Sequence, residues 1–213
     1  MDRDTAVSPP MPATAATATG RRWASLVELG RTRASNQGEQ PLYTFLPDRG
    51  TEETHYTYAE FDRRARAIGA ALQQQGAAGQ RALLLYPPGM EFVVAFFGCL
   101  YAGVVAVPAY PPRSARTLPR LLEIARDARP ALALTTRDLK AAIVGMSAQV
   151  PELGALRLVA TDEVPLEAAE SWQDPGATVD TLAFLQYTSA STAADREPWS
   201  AACARLHELT LTP

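Results

Sequence analysis

The chain has 213 residues, is 47% hydrophobic and carries a formal net charge of −3. That length buries a core as one domain or as part of a larger one, and the composition is that of an ordinary soluble globular protein with no basic surplus for nucleic acid. Its two cysteines, Cys99 and Cys203, build neither a disulfide framework nor a zinc site, so a reducing cytoplasm is the default setting.

Residues 1–22 are rich in Ala, Thr and Pro without apolar periodicity. They lack the apolar stretch of a signal peptide, Asp2 and Asp4 argue against a transit peptide, and the segment reads as a disordered leader. Trp23, Leu26, Val27 and Leu29 fall at helical spacing and predict a first helix over residues 23–36. Residues 42–46 alternate as a strand, Pro47-Asp48-Arg49-Gly50 is a turn, and residues 55–57 form a short pairing strand. Thr57 with Glu60 three residues on is a capping box that opens a helix over residues 58–75, and Gly76 stops it. That helix puts Phe61, Ala65, Ile68, Ala71 and Leu72 on one face, and its arginines Arg63, Arg64 and Arg66 read as a solvated face.

A strand over residues 82–86, the turn Pro87-Pro88-Gly89, a helix over 90–102 and a strand over 104–109 follow. The uncharged stretch from Phe92 to Pro112 has the length of a membrane span. Its glycines, its closing prolines and the midway change from helix-like to β-branched residues favour a buried helix followed by a buried strand. Cys99 and Tyr101 then belong to packing. Pro108, Tyr110, Pro111 and Pro112 make a rigid exit, read as a stiff loop packed on the core rather than as the wall of a ligand tunnel. Helices over 118–129 and 137–149, strands over 131–134 and 156–160, irregular sequence to residue 177 and a strand over 182–187 complete the pattern. Strands that are continuously apolar and alternate with helices predict an α/β fold, a mostly parallel sheet covered on both faces.

The most telling stretch is LAFLQYTSAST, residues 182–192. An apolar strand breaks into Thr188, Ser189, Ser191 and Thr192, separated only by Ala190. A strand that ends in a hydroxyl-rich turn offers O–H and backbone N–H donors to an anion, most often phosphate. Such loops favour glycine, yet Ala190 and Ala193 stand at the positions where glycine is expected. An alanine at positive φ costs on the order of 1–2 kcal/mol. Neither His55 nor His207 has a nucleophile or metal-ligand neighbour at useful spacing, so neither is assigned to catalysis, and no metal site is read.

YTSAST is similar to the phosphate loop of adenylate-forming enzymes, which reads YTSGSTG followed by a spacer and Pro-Lys-Gly. Residues 56–61 (YTYAEF) resemble that family's first core motif, and residues 82–113 carry YPPG, FFGCLYAG and VPAYPPR, characteristic of its fatty acyl-AMP ligase branch. The resemblance runs from Trp23 to Thr192 and implies the N-terminal portion of the adenylate-forming fold. It implies that Thr188, Ser189, Ser191 and Thr192 are a remnant ATP phosphate loop. It also implies an intact enzyme that uses ATP and Mg²⁺ to activate a long-chain fatty acid as acyl-adenylate, then passes the acyl group to an acyl carrier protein or polyketide synthase.

In a gapless alignment, Arg196 stands where the family carries its loop lysine and Glu197 where it carries glycine. Residues 193–213 hold no family motif, only a short helix predicted over 200–209, and a frameshift or premature truncation near Ala193 accounts for the abrupt change. The family's adenine-binding segment, its acidic Mg²⁺/ribose segment and its C-terminal domain with a catalytic lysine are not found, and the insertion that disfavours coenzyme A would fall downstream. No catalytic residue is therefore assigned, and the expectation is a fragment inactive alone. The alternatives are a non-catalytic pseudo-enzyme or interaction module, and one half of a split ligase. An amino-acid-activating domain of a peptide synthetase fits FFGCLYAG and LAFLQ less well.

Overall fold

The computed structural model describes residues 23–46, 54–112, 118–147, 154, 156–187 and 201–205. The expected leader, the turn at Pro47, the hydroxyl residues 188–192 and His207 lie outside the described residues.

Helix α1 (Leu26–Gln37) begins three residues later than its periodicity suggests, because Ser25 caps it. The Glu28 N–H donates to Ser25 Oγ at 3.0 Å, and the Glu28 carboxylate accepts the Ala24 N–H at 2.8 Å. Strands β1 (Pro41–Phe45) and β2 (Thr54–Thr57) pair antiparallel, with His55 Nδ1 3.1 Å from Thr44 Oγ1. The predicted capping box at Thr57 and Glu60 is formed, and it opens α2 (Tyr58–Gln74).

The main sheet holds β3 (Arg81–Leu85), β4 (Val105–Ala109), β5 (Leu132–Thr135), β6 (Arg157–Ala160), β7 (Leu182–Tyr187) and β8 (Ala201–Arg205) in the order β6-β5-β3-β4-β7-β8. The first five are parallel, as the apolar runs predict, and β8 adds antiparallel to β7. A strand at residues 201–205 replaces the expected helix over 200–209. The outer edge of β7 offers a row of backbone partners, and pairing overrides the weak helical preference of a short Ala-rich segment.

Helix α3 (Met90–Ala102) links β3 to β4, while α4 (Leu118–Ala128) and α5 (Arg137–Ser147) link β4 to β5 and β5 to β6. The period of two along β3 sorts its residues between two cores. Ala82, Leu84 and Tyr86 face α2 and α3, whereas Leu83 and Leu85 face α4 and α5. Helix α3 has 13 residues, and no described helix is long and apolar enough to cross a membrane. Cys99 is fully buried and burial pushes its thiol far up, which fits packing rather than reactivity. Two short 3-10 turns, Thr161–Glu163 and Leu166–Ser171, occupy the segment expected to be irregular.

Helices α2 and α3 cross closely at Gly98, where an added Cβ would stand 2.5 Å from Ile68 Cγ2 and 2.8 Å from Ile68 Cβ. Ile68 is stiff at χ1 and cannot swing aside. Gly98→Ala is expected to cost about 1–3 kcal/mol through overpacking, measured as a lower urea midpoint at unchanged m-value; an unchanged midpoint would show that the crossing can relax.

The arginines of α2 do not form the solvated face expected of them. Arg63 is exposed, but Arg66 donates from Nε to the buried Asp62 carboxylate at 2.8 Å and from Nη1 to the Ala169 carbonyl at 2.9 Å. Arg64 lies over the Tyr56 ring, 4.8 Å from its centroid. Arg66 is thus a tertiary anchor, because Asp62 occupies the inward face one helical turn before it.

Candidate functional site

The chain leaves β3 on one face of the sheet and leaves β4 on the other, since α3 and α4 pack in opposite cores. Between the carboxyl ends of β3 and β4 the connections therefore diverge and leave a crevice, the place where open α/β sheets bind ligands. A cleft of about 630 Å³ lies there, a size suited to a small-molecule ligand.

Three strand ends build its walls. Tyr86, Pro87 and Pro88 follow β3, Pro108, Ala109 and Tyr110 come from the end of β4, and Gln186 and Tyr187 close β7. Leu121 and Ile124 of α4 supply an apolar side, Phe92 of α3 another, and Arg120 a positive charge. The lining is mostly apolar with a few polar groups, the usual make-up of a ligand site. The rigid exit after β4 divides: Pro108 and Tyr110 line the cleft, with Tyr110 76% exposed, while Pro111 and Pro112 are buried.

Buried hydrogen bonds hold the rim. Thr135 Oγ1 donates to the Leu85 carbonyl at 2.8 Å, Thr161 Oγ1 donates to the Thr135 carbonyl at 3.3 Å, and the Tyr86 hydroxyl lies 2.8 Å from Thr161 Oγ1. With the Thr161 proton committed to Thr135, Tyr86 is the donor to Thr161. Burial pushes the Tyr86 phenol well above its ordinary range, and the Thr161 bond opposes this in part. The phenol thus stays neutral, as a hydrogen-bonded strut rather than a base. In the first turn of α3, burial raises the Glu91 carboxyl, with Arg64 opposing and Asp162 adding to the shift. On β7, the Tyr187 hydroxyl donates to the Asp127 carboxylate of α4.

Of the sequence-derived site, the structure places the residue that precedes it. Tyr187 ends β7 in the wall of the cleft, and Thr188 follows it directly in the chain. Thr188, Ser189, Ser191 and Thr192 themselves lie outside the described residues. Sequence reasoning missed Tyr86, Arg120, Gln186 and Asp127. Only Gln186 and Tyr86 had a signal, as residues at the carboxyl ends of apolar strands, while Arg120 and Asp127 sit on a helix whose polar face carries no motif.

The profile of the AMP-binding enzyme family matches residues 31–194. The chain belongs to this family. Within it, this AMP-binding segment is similar to the N-terminal portion of fatty acyl-AMP ligases. It is 41% identical to the medium-chain-fatty-acid–[acyl-carrier-protein] ligase JamA of Moorena producens, over 80% of this chain and 29% of JamA. It is 36% identical to the long-chain-fatty-acid–AMP ligase FadD32 of Mycobacterium marinum, over 73% of this chain and 25% of that protein. The crystal structure of the fatty acyl-adenylate ligase of Legionella pneumophila, in complex with acyl adenylate and pyrophosphate, superposes with a TM-score of 0.74 at 34% identity, over 87% of this chain and 31% of that one. The chain spans under a third of the length of these relatives.

Proposed function

We propose that this AMP-binding segment carries the phosphate-binding part of a fatty acyl-adenylating ligase. Thr188, Ser189, Ser191 and Thr192 offer their hydroxyls and backbone N–H groups to the phosphates of ATP. The whole enzyme joins a long-chain fatty acid to AMP with release of pyrophosphate, then passes the acyl group to an acyl carrier protein or polyketide synthase in the cytoplasm. The observation that carries this reading is the place where the hydroxyl segment starts: next to Tyr187, at the carboxyl end of β7, in the wall of the crevice between diverging connections. The Legionella relative holds acyl adenylate and pyrophosphate, the ligands such a site would take.

Phosphate binding of this kind works by positioning and charge stabilisation. In the reaction, the fatty-acid carboxylate attacks the α-phosphorus, the bond to the bridging oxygen breaks, and pyrophosphate leaves with that oxygen. The chain's own share is to hold the leaving phosphates through neutral hydroxyls. Mg²⁺ would neutralise further charge, but none of the described residues forms a cluster of three His, Cys, Asp or Glu side chains able to hold a metal. The apolar wall of Pro87, Pro88, Phe92, Leu121 and Ile124 suits an apolar part of the substrate rather than charge.

Ala190, Ala193 and Glu197 weaken the loop in this polypeptide, while Arg196 can supply the positive charge of the family's lysine. Alanine resists the positive φ and close approach that glycine allows, and the Glu197 carboxylate repels phosphate. ATP–pyrophosphate exchange with long-chain fatty acids checks this directly. The expected result is negligible exchange by the 213-residue polypeptide alone, which spans under a third of its relatives and carries a weakened loop, and clear turnover would overturn that expectation.

A further inference from the structure

A second cavity lies away from the crevice, where α1 and β1 meet the crossing of α2 and α3, and none of its residues lines the crevice. It has a volume of about 260 Å³, above the roughly 150 Å³ that admits benzene and below the roughly 300 Å³ at which drug-sized pockets begin. Leu29 and Leu42 give it apolar walls, and three rings continue them: Phe61 stands 5.6 Å from Tyr43 and 5.1 Å from Phe97, the latter edge to face. Its floor depends on residue 30 being glycine. A Cβ there would stand 2.7 Å from the Tyr101 hydroxyl oxygen, which donates to Asp62. Tyr43 is 38% exposed, so the cavity opens to solvent on the β1 side.

The polar groups that it turns toward a ligand are donors. Arg33 Nη1 donates to the neutral Gln37 amide oxygen at 2.9 Å, and among the described residues no carboxylate pairs with it. Tyr43 and Tyr58 bring two phenols; burial raises the Tyr43 phenol and the Tyr58 hydroxyl adds to the rise, so the two lie near each other. The carboxylate in the lining, Asp62, already accepts from Arg31, Arg66 and the Tyr101 hydroxyl. Arg31 and Arg66 together exceed its single charge and Arg33 adds a third guanidinium, so the surroundings favour an anion.

We propose that this pocket binds a small aromatic carboxylate. The ring packs against Leu29, Leu42 and the Tyr43–Phe61–Phe97 series, and the carboxylate accepts from Arg33 and the two phenols. Aromatic rings prefer the tilted and edge-to-face contacts that such walls offer, and a rigid ring loses less freedom on binding than a flexible chain. A neutral isostere forgoes the charge-assisted bond, and an ammonium of the same shape meets guanidinium groups. The site is independent of the phosphate reading.

The test is titration of the 213-residue chain with benzoate, followed by amide chemical shifts, with benzyl alcohol, benzylammonium and octanoate as comparisons. Benzoate is expected to give saturating shifts at Gly30, Arg33, Tyr43 and Tyr58, and the alcohol and the ammonium to bind at least roughly tenfold more weakly. Octanoate keeps the carboxylate but not the ring, and is expected to bind more weakly than benzoate. Arg33→Gln should weaken benzoate roughly tenfold at an unchanged melting midpoint, because the side chain is only part-buried. Arg33→Lys, which keeps the charge, should recover part of the loss. Shifts confined to the crevice residues Phe92, Tyr110 and Gln186, or no shift at millimolar benzoate, would overturn the proposal. Equal binding of benzylammonium, tighter binding of octanoate, or affinity unchanged in Arg33→Gln would overturn it as well.

Discussion

Asp62→Ala is expected to cost about 3–5 kcal/mol of folding stability, the usual penalty for breaking a buried, hydrogen-bonded ion pair from one side. Asp62 sits on the inward face of α2 with 3% of its surface exposed. Its carboxylate accepts from Arg31 Nη1 of α1 at 2.5 Å, from Arg66 Nε at 2.8 Å and from the Tyr101 hydroxyl of α3 at 2.9 Å. One carboxylate therefore joins three helices. Arg31 lies 5.4 Å from the centre of the Trp172 ring, and the Trp172 indole N–H donates to the Tyr101 carbonyl at 2.7 Å, so the network reaches the 3-10 segment before β7. Burial raises the Tyr101 phenol, and the neighbouring Asp62 carboxylate raises it further, so the phenol remains a neutral donor.

Removing the carboxylate leaves a buried hydroxyl and two guanidinium groups without their shared partner. Arg31→Ala is expected to cost much less, because the Arg31 side chain is 39% exposed and solvent screens its share of the pair. Against a typical total of about 5–15 kcal/mol, the Asp62 loss would take much of the chain's stability. Urea denaturation of both variants checks the ranking. An Asp62→Ala loss below about 1 kcal/mol would place the weight of the α1–α2–α3 contact on its apolar cluster instead.

The second large effect concerns phosphate. Replacing Thr188, Ser189, Ser191 and Thr192 together by alanine is expected to abolish measurable pyrophosphate binding. Hydrogen bonds to a charged group contribute about 1.5–3 kcal/mol each. Binding of pyrophosphate at about millimolar strength, the level expected of a loop with alanine at 190 and 193, would correspond to only about 4 kcal/mol. Loss of even two hydroxyl contacts then removes most of the binding. Glycine at 190 and 193 should move affinity the other way, because glycine adopts the positive φ favoured in phosphate loops at little cost. Isothermal titration at fixed ionic strength compares the three proteins. Equal affinity in all three would mean that any bound pyrophosphate sits elsewhere.

Much of this fold is legible in the sequence. Helix α3 and strand β7 span the residues that the apolar periodicity indicates, because Pro88-Gly89 and Gly103 bracket the helix and the β-prone apolar run Leu182–Tyr187 makes the strand. Gly103 takes φ +68 at the end of α3, the left-handed cap that glycine adopts at little cost. The apolar spacing places the start of α1 three residues early, although Ser25 and Glu28 repeat the pattern of Thr57 and Glu60 and could have marked the cap. The role of Asp62 is not legible. Its spacing to Arg66 signals a helical ion pair, but its burial depends on Arg31 and Tyr101, which come from other elements. The tail shows the opposite failure, where a short helix-like segment is drawn into β8 by the edge of β7. At the site, the sequence marked the hydroxyls but not the bond from Tyr187 to Asp127, which depends on how α4 packs beside β7.

The groove at the amino end of the sheet provides an internal control for the site. Lined by Gln73, Gly79, Gly103, Gln173, Gly176 and Thr181 among others, it has a volume of about 580 Å³, close to that of the crevice, and it lies at the opposite ends of β3, β4 and β7. Volume alone does not distinguish the two, whereas the chain's topology does. A pyrophosphate titration followed by amide chemical shifts distinguishes them directly. Saturating shifts are expected at Gln186, Tyr187 and residues 188–192, lost in the four-alanine variant, with Gln73, Gly176 and Thr181 unmoved. Shifts confined to the amino-end groove, or shifts at residues 188–192 that survive removal of the hydroxyls, would contradict the phosphate reading.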